Sequence, residues 1–299
     1  MFTIENDFLR VSVKSKGAEL SSLFSKESQL EFMWNGDERF WSKQSPILFP
    51  IVGTLKQNTY YYKGQPYNLG RHGFARDREF TCESRDTSSL VMTLTSDEKT
   101  LRVYPFEFKL NIIYRLDGNM LHVTYRVTNS SEKNEMYFSI GGHPAFRVPF
   151  HADLRYHHYI LEFEKVEMAW RWPISPEGLI EAAPRSFLMN ENLVPLRKEL
   201  FRNDAIVLKH PNSDKITLRT KKRSERLEFY FPRFPYLGIW AAPRADFVCL
   251  EPWCGIADSI TSNQQLDRKE GINFLAPGLT FERTWSVKLI SHPDADASR

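Results

Sequence analysis

Three short segments of the sequence combine residue types that can move protons. Residues 71–76 read RHGFAR and residues 141–146 read GGHPAF, so each segment places a histidine beside glycine. Residues 249–255 read CLEPWCG and place Glu251 directly after the apolar run 247–250. An imidazole that titrates near neutrality and a carboxyl group with a raised pKa are the usual partners in general acid–base catalysis.

The local sequence indicates how these side chains are presented. Glycine allows close backbone approach or a positive φ, which favours a strand end or a cleft lip for His72 and His143. Pro144 favours an extended conformation for His143. Glu251 is expected at the end of a buried strand, where desolvation raises its pKa toward the range of a general base. These three residues are the candidate catalytic groups.

Each candidate also has a purely structural interpretation. A single histidine beside glycine is more often a hydrogen-bonded structural residue, and a strand-end glutamate is as often a surface carboxylate as a catalytic one. The joint occurrence of the three segments favours an acid–base site.

Other kinds of chemistry have little support in the sequence. No helical HxxxH pattern with an intervening glutamate occurs, and no CxxC, so no metal site is expected. Cys249 and Cys254 are assigned to packing. GxGxxG, GxxxxGK[ST] and GxSxG are all absent, so neither a nucleotide cofactor nor a serine nucleophile is expected.

The composition excludes several classes of protein. Of the 299 residues, 41% are hydrophobic and 26% are charged, which is typical of a folded chain. A net charge of +3 without a dominant basic stretch argues against a nucleic-acid partner. Three cysteines and an N-terminus unlike a signal peptide predict a reducing, cytoplasmic location. No run of 18 apolar residues occurs, so no membrane span is expected.

Strand signals dominate the sequence. Strands are predicted at residues 88–95, 110–115, 121–127, 216–219 and 227–231. Asp117-Gly118 and Lys63-Gly64 are turn signals that predict two β-hairpins. Helical stretches are expected to be few and short, and residues 186–193 are a candidate for one or two helical turns.

These elements predict an all-β chain, with a large antiparallel sandwich or a barrel as its architecture. The 22 Phe, 12 Tyr and 7 Trp residues are typical of β-rich folds and of carbohydrate-binding clefts. A single domain is expected over residues 1–299, with a frayed tail at 291–299.

In their order and spacing, these segments resemble the aldose 1-epimerase (galactose mutarotase-like) superfamily and, within it, the bacterial branch related to LacX. The resemblance covers nearly the whole chain, from IENDFLRVSVKSKGAELSSL and PILFPIVG, through RHGFAR, GGHPAF and YLGIWAAPRADFVCLEPWCGIADS, to LAPGLTFERTWSV. It implies a large antiparallel β-sandwich and a cofactor-independent isomerase that interconverts the α and β anomers of an aldose.

The resemblance also implies a role for each candidate catalytic residue. Glu251 corresponds to the general base and His143 to the general acid. His72 corresponds to the second active-site histidine, which holds and polarises the substrate. Opening a hemiacetal ring requires a base for the C1 hydroxyl proton and an acid for the ring oxygen, so one carboxylate and one imidazole suffice.

Five further residues are candidates for substrate binding. Trp240 and Trp253 flank the glutamate segment and can stack on a sugar, although each is equally suited to the core. Arg71 and Arg76 can donate hydrogen bonds to hydroxyl groups or pair with a phosphate. Asp246 can accept from a hydroxyl group or can be a turn residue.

One segment departs from the family pattern. Better-known galactose mutarotases have an arginine-containing segment near GRxANR, whereas residues 53–58 read GTLKQN here. Thr54 stands where the arginine is expected, and whether Lys56 substitutes for it is open. The departure leaves the preferred sugar open but does not affect the acid–base pair.

Several functions remain in competition. The leading one is a mutarotase for a free monosaccharide. A second is a hexose-6-phosphate 1-epimerase that holds the phosphate with Arg71, Arg76 or Lys56, and a third is a sugar-binding protein without activity. A zinc hydrolase is disfavoured because ligand spacing is missing. The sequence does not distinguish a monomer from a dimer.

Overall fold

A computed structural model of the chain describes residues 1–291, and its regular structure is almost entirely β-strand. The strands are β1 (Phe2–Glu5), β2 (Leu9–Val13), β3 (Leu20–Ser25), β4 (Leu30–Glu31), β5 (Ile47–Leu48), β6 (Thr59–Tyr62), β7 (Gln65–Asn68), β8 (Thr81–Arg85), β9 (Ser89–Thr95), β10 (Phe108–Asp117), β11 (Met120–Asn129), β12 (Met136–Phe138), β13 (Ile140–Gly142), β14 (Ala145–Arg147), β15 (Tyr159–Trp172), β16 (Arg185–Pro195), β17 (Ile206–Lys209), β18 (Lys215–Thr220), β19 (Arg226–Tyr230), β20 (Tyr236–Trp240), β21 (Phe247–Cys254), β22 (Asn273–Leu275) and β23 (Thr280–Ile290).

Helical structure within residues 1–291 is limited to short segments. One α-helix, α1 (Glu98–Val103), begins after Asp97, whose side chain accepts the Thr100 backbone N–H at 2.7 Å. The other segments are 3₁₀ turns at Lys56–Asn58, Ala75–Asp77, Tyr156–His158, Lys198–Phe201 and Leu266–Arg268. None of the helices in the described chain has the length and apolar character that crossing a membrane requires.

Fifteen strands form one large antiparallel sheet. The main path runs β5-β13-β21-β20-β17-β15-β18-β19-β23-β11-β10-β9-β8, with β14 beside β21 and β16 beside β15. Strands β1 to β4 form a second sheet, and the pairs β6-β7 and β12-β22 are separate. Apolar side chains from the second sheet and the large sheet share one continuous buried core. The predicted fold class is therefore confirmed: an all-β, large antiparallel sandwich with few short helices.

The strand and hairpin predictions are confirmed at their turn residues. β10 and β11 pair directly, with Asp117 opposite Met120 and Gly118 at a φ of +55°. Lys63 and Gly64 both have positive φ between β6 and β7, which is the geometry of the turns that match strand twist. The segments predicted near β9, β18 and β19 are also strands.

The helix predicted at residues 186–193 is wrong. These residues belong to β16, which pairs with β15 through an irregular register that places Met189 opposite Met168 and Leu193 opposite Glu162. The neighbouring strand supplies hydrogen-bond partners that a local sequence pattern does not reveal, so tertiary pairing overrides the local signal. The predicted frayed tail at 291–299 lies, beyond residue 291, outside the described residues.

Candidate active site

Glu251 lies inside strand β21, so the prediction that it ends the strand is wrong. On one side of β21, Gly238 of β20 is opposite Glu251. On the other side, β13 and β14 pair with the two ends of β21 and leave a gap in the ladder between them. His143 and Pro144 fill this gap, and Pro252, which has no N–H to donate, is tolerated where the ladder is interrupted. The gap brings His143 to Glu251.

The two side chains are in contact and almost fully buried. His143 Nε2 lies 3.2 Å from Glu251 Oε2, and the side chains are 10% and 2% exposed. Burial, together with the nearby Arg71 and Arg76 charges, lowers the pKa of His143 to about 3. Burial also raises the pKa of Glu251 well above its usual value, against an opposing effect of Arg71.

Both pKa shifts favour the neutral form of each group. When Glu251 is protonated and His143 Nε2 is not, the two atoms in contact have one proton between them. Transfer of this proton across 3.2 Å converts the neutral pair into a carboxylate and an imidazolium without adding or removing a proton. The pair therefore contains one acid and one base in either state.

His72 approaches the pair from a strained turn. Its φ is +68°, a left-handed conformation that costs a non-glycine residue about 1 kcal/mol or more. The Gly53 backbone N–H donates to His72 Nδ1 at 3.1 Å. A backbone N–H keeps its proton, so Nδ1 is an acceptor and neutral His72 carries its proton on Nε2. The Arg71 Nε atom, 3.4 Å from Nε2, is then a contact rather than a hydrogen bond.

The two histidines are neighbours. Their ring centroids are 5.8 Å apart and the rings are nearly perpendicular. Burial lowers the pKa of His72 well below its usual value, and the charge of a protonated His143 adds to the effect. His72 is therefore neutral, and its Nε2–H is available as a donor to a ligand.

All three candidate catalytic residues line one cleft of about 410 Å³. Four of the five candidate binding residues line it too: Arg71, Arg76, Trp240 and Trp253. The Trp253 indole fits between β13 and β20 only because two glycines flank it. A Cβ at Gly141 or Gly238 would come within 2.7 or 2.5 Å of the ring.

The fifth candidate, Asp246, does not reach the cleft. Its side chain is 63% exposed and pairs with Lys198 at 2.6 Å. Strand β21 begins at the next residue, so Asp246 lies at the far end of the strand from Cys254, and sequence proximity to Glu251 was the only signal for it.

In the segment that departs from the family pattern, Gly53 lines the cleft but Thr54 and Lys56 do not. Thr54 is buried, and a Cβ added to the cleft-lining Gly178 would lie 2.6 Å from Thr54 Oγ1. Lys56 is not a lining residue, and its Nζ atom lies 3.4 Å from the Ser262 carbonyl oxygen. Neither side chain lines the cleft.

The cleft residues that sequence reasoning missed include Trp41, Arg202 and Asp204. The Trp41 ring lies 4.9 Å from the His143 ring at 31°, and 5.5 Å from the Trp240 ring, so two indoles enclose this imidazole. All three residues come from irregular segments, where no periodic pattern marks them.

Within residues 1–291, one group of side chains has donor atoms close enough together to bind a metal ion. Donor atoms of His143, Cys249 and Glu251 lie within 4.8 Å of one another, and all three residues are buried. Burial raises the pKa of the Cys249 thiol well above its usual value, which disfavours the thiolate that binds zinc. The other two members form the proton-sharing pair, so we assign no metal to this group.

Comparison with known proteins gives consistent relatives. The family model for aldose 1-epimerase matches residues 1–274. The LacX protein of Lactococcus lactis subsp. lactis is 33% identical over 296 residues, which cover 96% of this chain and 99% of that protein.

Two solved structures superpose over almost the whole chain. A galactose mutarotase related enzyme from Lactobacillus acidophilus has a TM-score of 0.90 at 33% identity and covers 98% of both chains. A galactose mutarotase-like protein from Lactobacillus casei has a TM-score of 0.90 at 31% identity, over 97% of this chain and 100% of that one.

The buried carboxyl group of Glu251 should make the stability of the protein depend on pH. Because the folded-state pKa of Glu251 is raised, its contribution to stability is complete below the unfolded pKa and is lost as pH rises toward the folded pKa. Glu251→Gln has no such loss. We expect the Tm of the variant, relative to wild type, to be higher at pH 8 than at pH 5. Each pH unit in this window is worth about 1.4 kcal/mol, or roughly 2–4 °C.

Thermal unfolding followed by circular dichroism at both pH values measures this difference. Glu282→Gln makes the same replacement at a half-exposed carboxylate of β23 and serves as the control. A Tm difference for Glu251→Gln that is equal at the two pH values, or larger at pH 5, contradicts the raised pKa.

Proposed function

Since this chain belongs to the aldose 1-epimerase family, we propose that it interconverts the α and β anomers of an aldose by acid–base opening and closure of the sugar ring. The observation that carries the proposal is the buried 3.2 Å contact between His143 and Glu251 in a cleft that His72 also lines. The LacX-related and galactose mutarotase-like relatives support the same kind of activity.

The proposed reaction uses the single proton of the pair. With a closed sugar in the cleft, Glu251 is the carboxylate and His143 the imidazolium. Glu251 takes the proton of the C1 hydroxyl while His143 protonates the ring oxygen, and the C1–O5 bond breaks. The products are an open aldehyde, a protonated Glu251 and a neutral His143. After rotation about C1–C2, the reverse transfers close the ring on the other face of C1.

The protonation states suit this cycle. The open-chain complex leaves both groups neutral, which is the state that burial favours. The closed-sugar complex needs the ion pair, so the ligand must provide polar contacts that offset the desolvation of two charges. His72 Nε2–H is positioned as one such donor, and Trp240 and Trp41 give aromatic faces for the sugar's apolar side.

A second candidate function is a hexose-6-phosphate 1-epimerase, and the charge of the cleft favours it. Three arginines line the cleft, Arg71, Arg76 and Arg202, against the acidic Asp204 and a Glu251 whose raised pKa favours its neutral form. Asp204 lies 3.5 Å from Arg71. The remaining positive charge suits a phosphate group, which arginine binds through paired hydrogen bonds.

The acid–base pair should be essential for anomer exchange. We expect Glu251→Gln and His143→Asn each to reduce kcat by about 10²-fold or more, as loss of a general acid or base does. NMR magnetisation transfer between the α and β anomers of glucose, galactose and glucose 6-phosphate gives the rates.

Matched variants lie outside the cleft. Glu167 is a buried carboxylate that accepts the backbone N–H groups of Asn212 and Ser213, and His122 is a half-buried imidazole that contacts Ser286. Glu167→Gln and His122→Asn should keep kcat within about threefold of wild type. Near-wild-type exchange in either catalytic variant contradicts the roles, and sugar binding without accelerated exchange by wild type would indicate a non-catalytic sugar-binding protein.

A substitution of Arg202 tests the hexose-6-phosphate candidate function. Arg202 forms no ion pair within the described residues. If a phosphate is the ligand, Arg202→Gln should raise KM for glucose 6-phosphate by about tenfold, since hydrogen bonds to charged groups contribute roughly 1.5–3 kcal/mol. KM for glucose should not change. Arg147→Gln, at the end of β14 and outside the cleft lining, is the control. Faster exchange of glucose than of glucose 6-phosphate by wild type would reject this candidate.

A further inference from the structure

A buried ion pair lies beside the cleft wall. Lys269 Nζ is 2.7 Å from Asp258 Oδ1, and the side chains are only 3% and 2% exposed. Burial lowers the pKa of Lys269, and the Asp258 charge partly opposes that effect. Apolar residues of similar volume often stabilise a core as well as a buried ion pair does. Stability alone therefore does not account for two charges at this position.

Asp258 holds two segments that reach the cleft. Its Oδ2 atom accepts the Lys56 backbone N–H at 2.9 Å, and its own N–H donates to the Thr54 carbonyl at 2.9 Å. Its carbonyl accepts the N–H of Ile180, a lining residue, at 2.8 Å. The charged side chain therefore fixes the segment at residues 53–56 from one side.

The same segment fixes His72 from the other side. Gly53 donates to His72 Nδ1 at 3.1 Å, and the Gly53 carbonyl accepts the His72 N–H at 2.8 Å. Gly53 also packs tightly against Ala257, the residue before Asp258, since an added Cβ would lie 2.4 Å from the Ala257 Cβ. A shift of Asp258 would therefore move the donor that selects the tautomer of His72.

We propose that Asp258 is the positioning residue for His72. Paired with Lys269, it holds residues 53–56 so that the Gly53 N–H occupies Nδ1 and the ring proton stays on Nε2, where it can donate to a sugar oxygen. The effect on substrate rests on the proposed epimerase function, whereas the effect on the tautomer does not.

The experiment compares Asp258→Asn with the matched control Glu167→Gln. Both replace buried carboxylates that accept backbone N–H groups, but only Asp258 is connected to His72. Long-range ¹H–¹⁵N NMR of the full-length protein reports the tautomer of His72 directly. We expect a single Nε2–H tautomer in wild type and Glu167→Gln, and a mixture of tautomers in Asp258→Asn. For the sugar that wild type turns over, KM should rise by up to about tenfold in Asp258→Asn while kcat falls less than threefold.

Several outcomes overturn the proposal. They are a wild-type His72 protonated on Nδ1, an Asp258→Asn protein with one tautomer and an unchanged KM, or an equal change in Glu167→Gln. If Asp258→Asn does not fold, Asp258→Asn/Lys269→Met leaves no unpaired buried charge and is measured in the same way. Absence of epimerase activity in wild type would reject the proposed function, while the tautomer measurement would still test the role of Asp258.

Discussion

A carboxyl group and an imidazole that are buried in contact share one proton, and the chemistry of the cleft depends on this constraint. Removal from water penalises the charged form of both Glu251 and His143, so burial favours the neutral pair. Ring opening needs an acid and a base at the same time, and a pair with one proton supplies both in either direction. A pair with two protons would have no base, and a pair with none would have no acid.

An interruption in the strand pairing of the large sheet allows His143 to contact Glu251. On one side, strand β21 pairs with β20 from Cys249 to Trp253, and on the other side it pairs with β13 and β14 except at the gap that His143 and Pro144 occupy. An uninterrupted neighbouring strand would use the backbone at this position for ladder hydrogen bonds and direct its side chains in regular alternation. The break instead allows His143 to leave the ladder while β21 remains anchored at both ends. The Glu251 carboxyl group is thereby held on a strand of the large sheet, which gives more precise geometry than a loop.

Sequence patterns predicted the scaffold better than the surroundings of the site. Alternation and turn residues identify β10, β11, β6 and β7, because half-buried strands and tight hairpins impose period two and positive φ. His72, His143 and Glu251, which the structure brings to one cleft, could be selected from the sequence because they stand beside glycine, proline or an apolar run. Trp41 and Arg202 could not, since they come from irregular segments and meet the cleft only through the fold. Asp246 shows the opposite error. It is close to Glu251 in sequence, but an extended strand separates the two residues in space, and Asp246 lies outside the cleft.

The residues around the cleft depart from what stability alone favours. His72 has a left-handed backbone, Glu251 is a buried carboxyl group, and Lys269 with Asp258 is a buried ion pair. Strain of this kind persists only where the surrounding structure over-determines it. Here the surrounding structure is a continuous core shared by nearly all the strands, together with glycines at Gly53 and Gly238 that admit close contacts. The packing of the large sheet thus also offsets the free energy that the protonation states and the backbone conformation of these residues require.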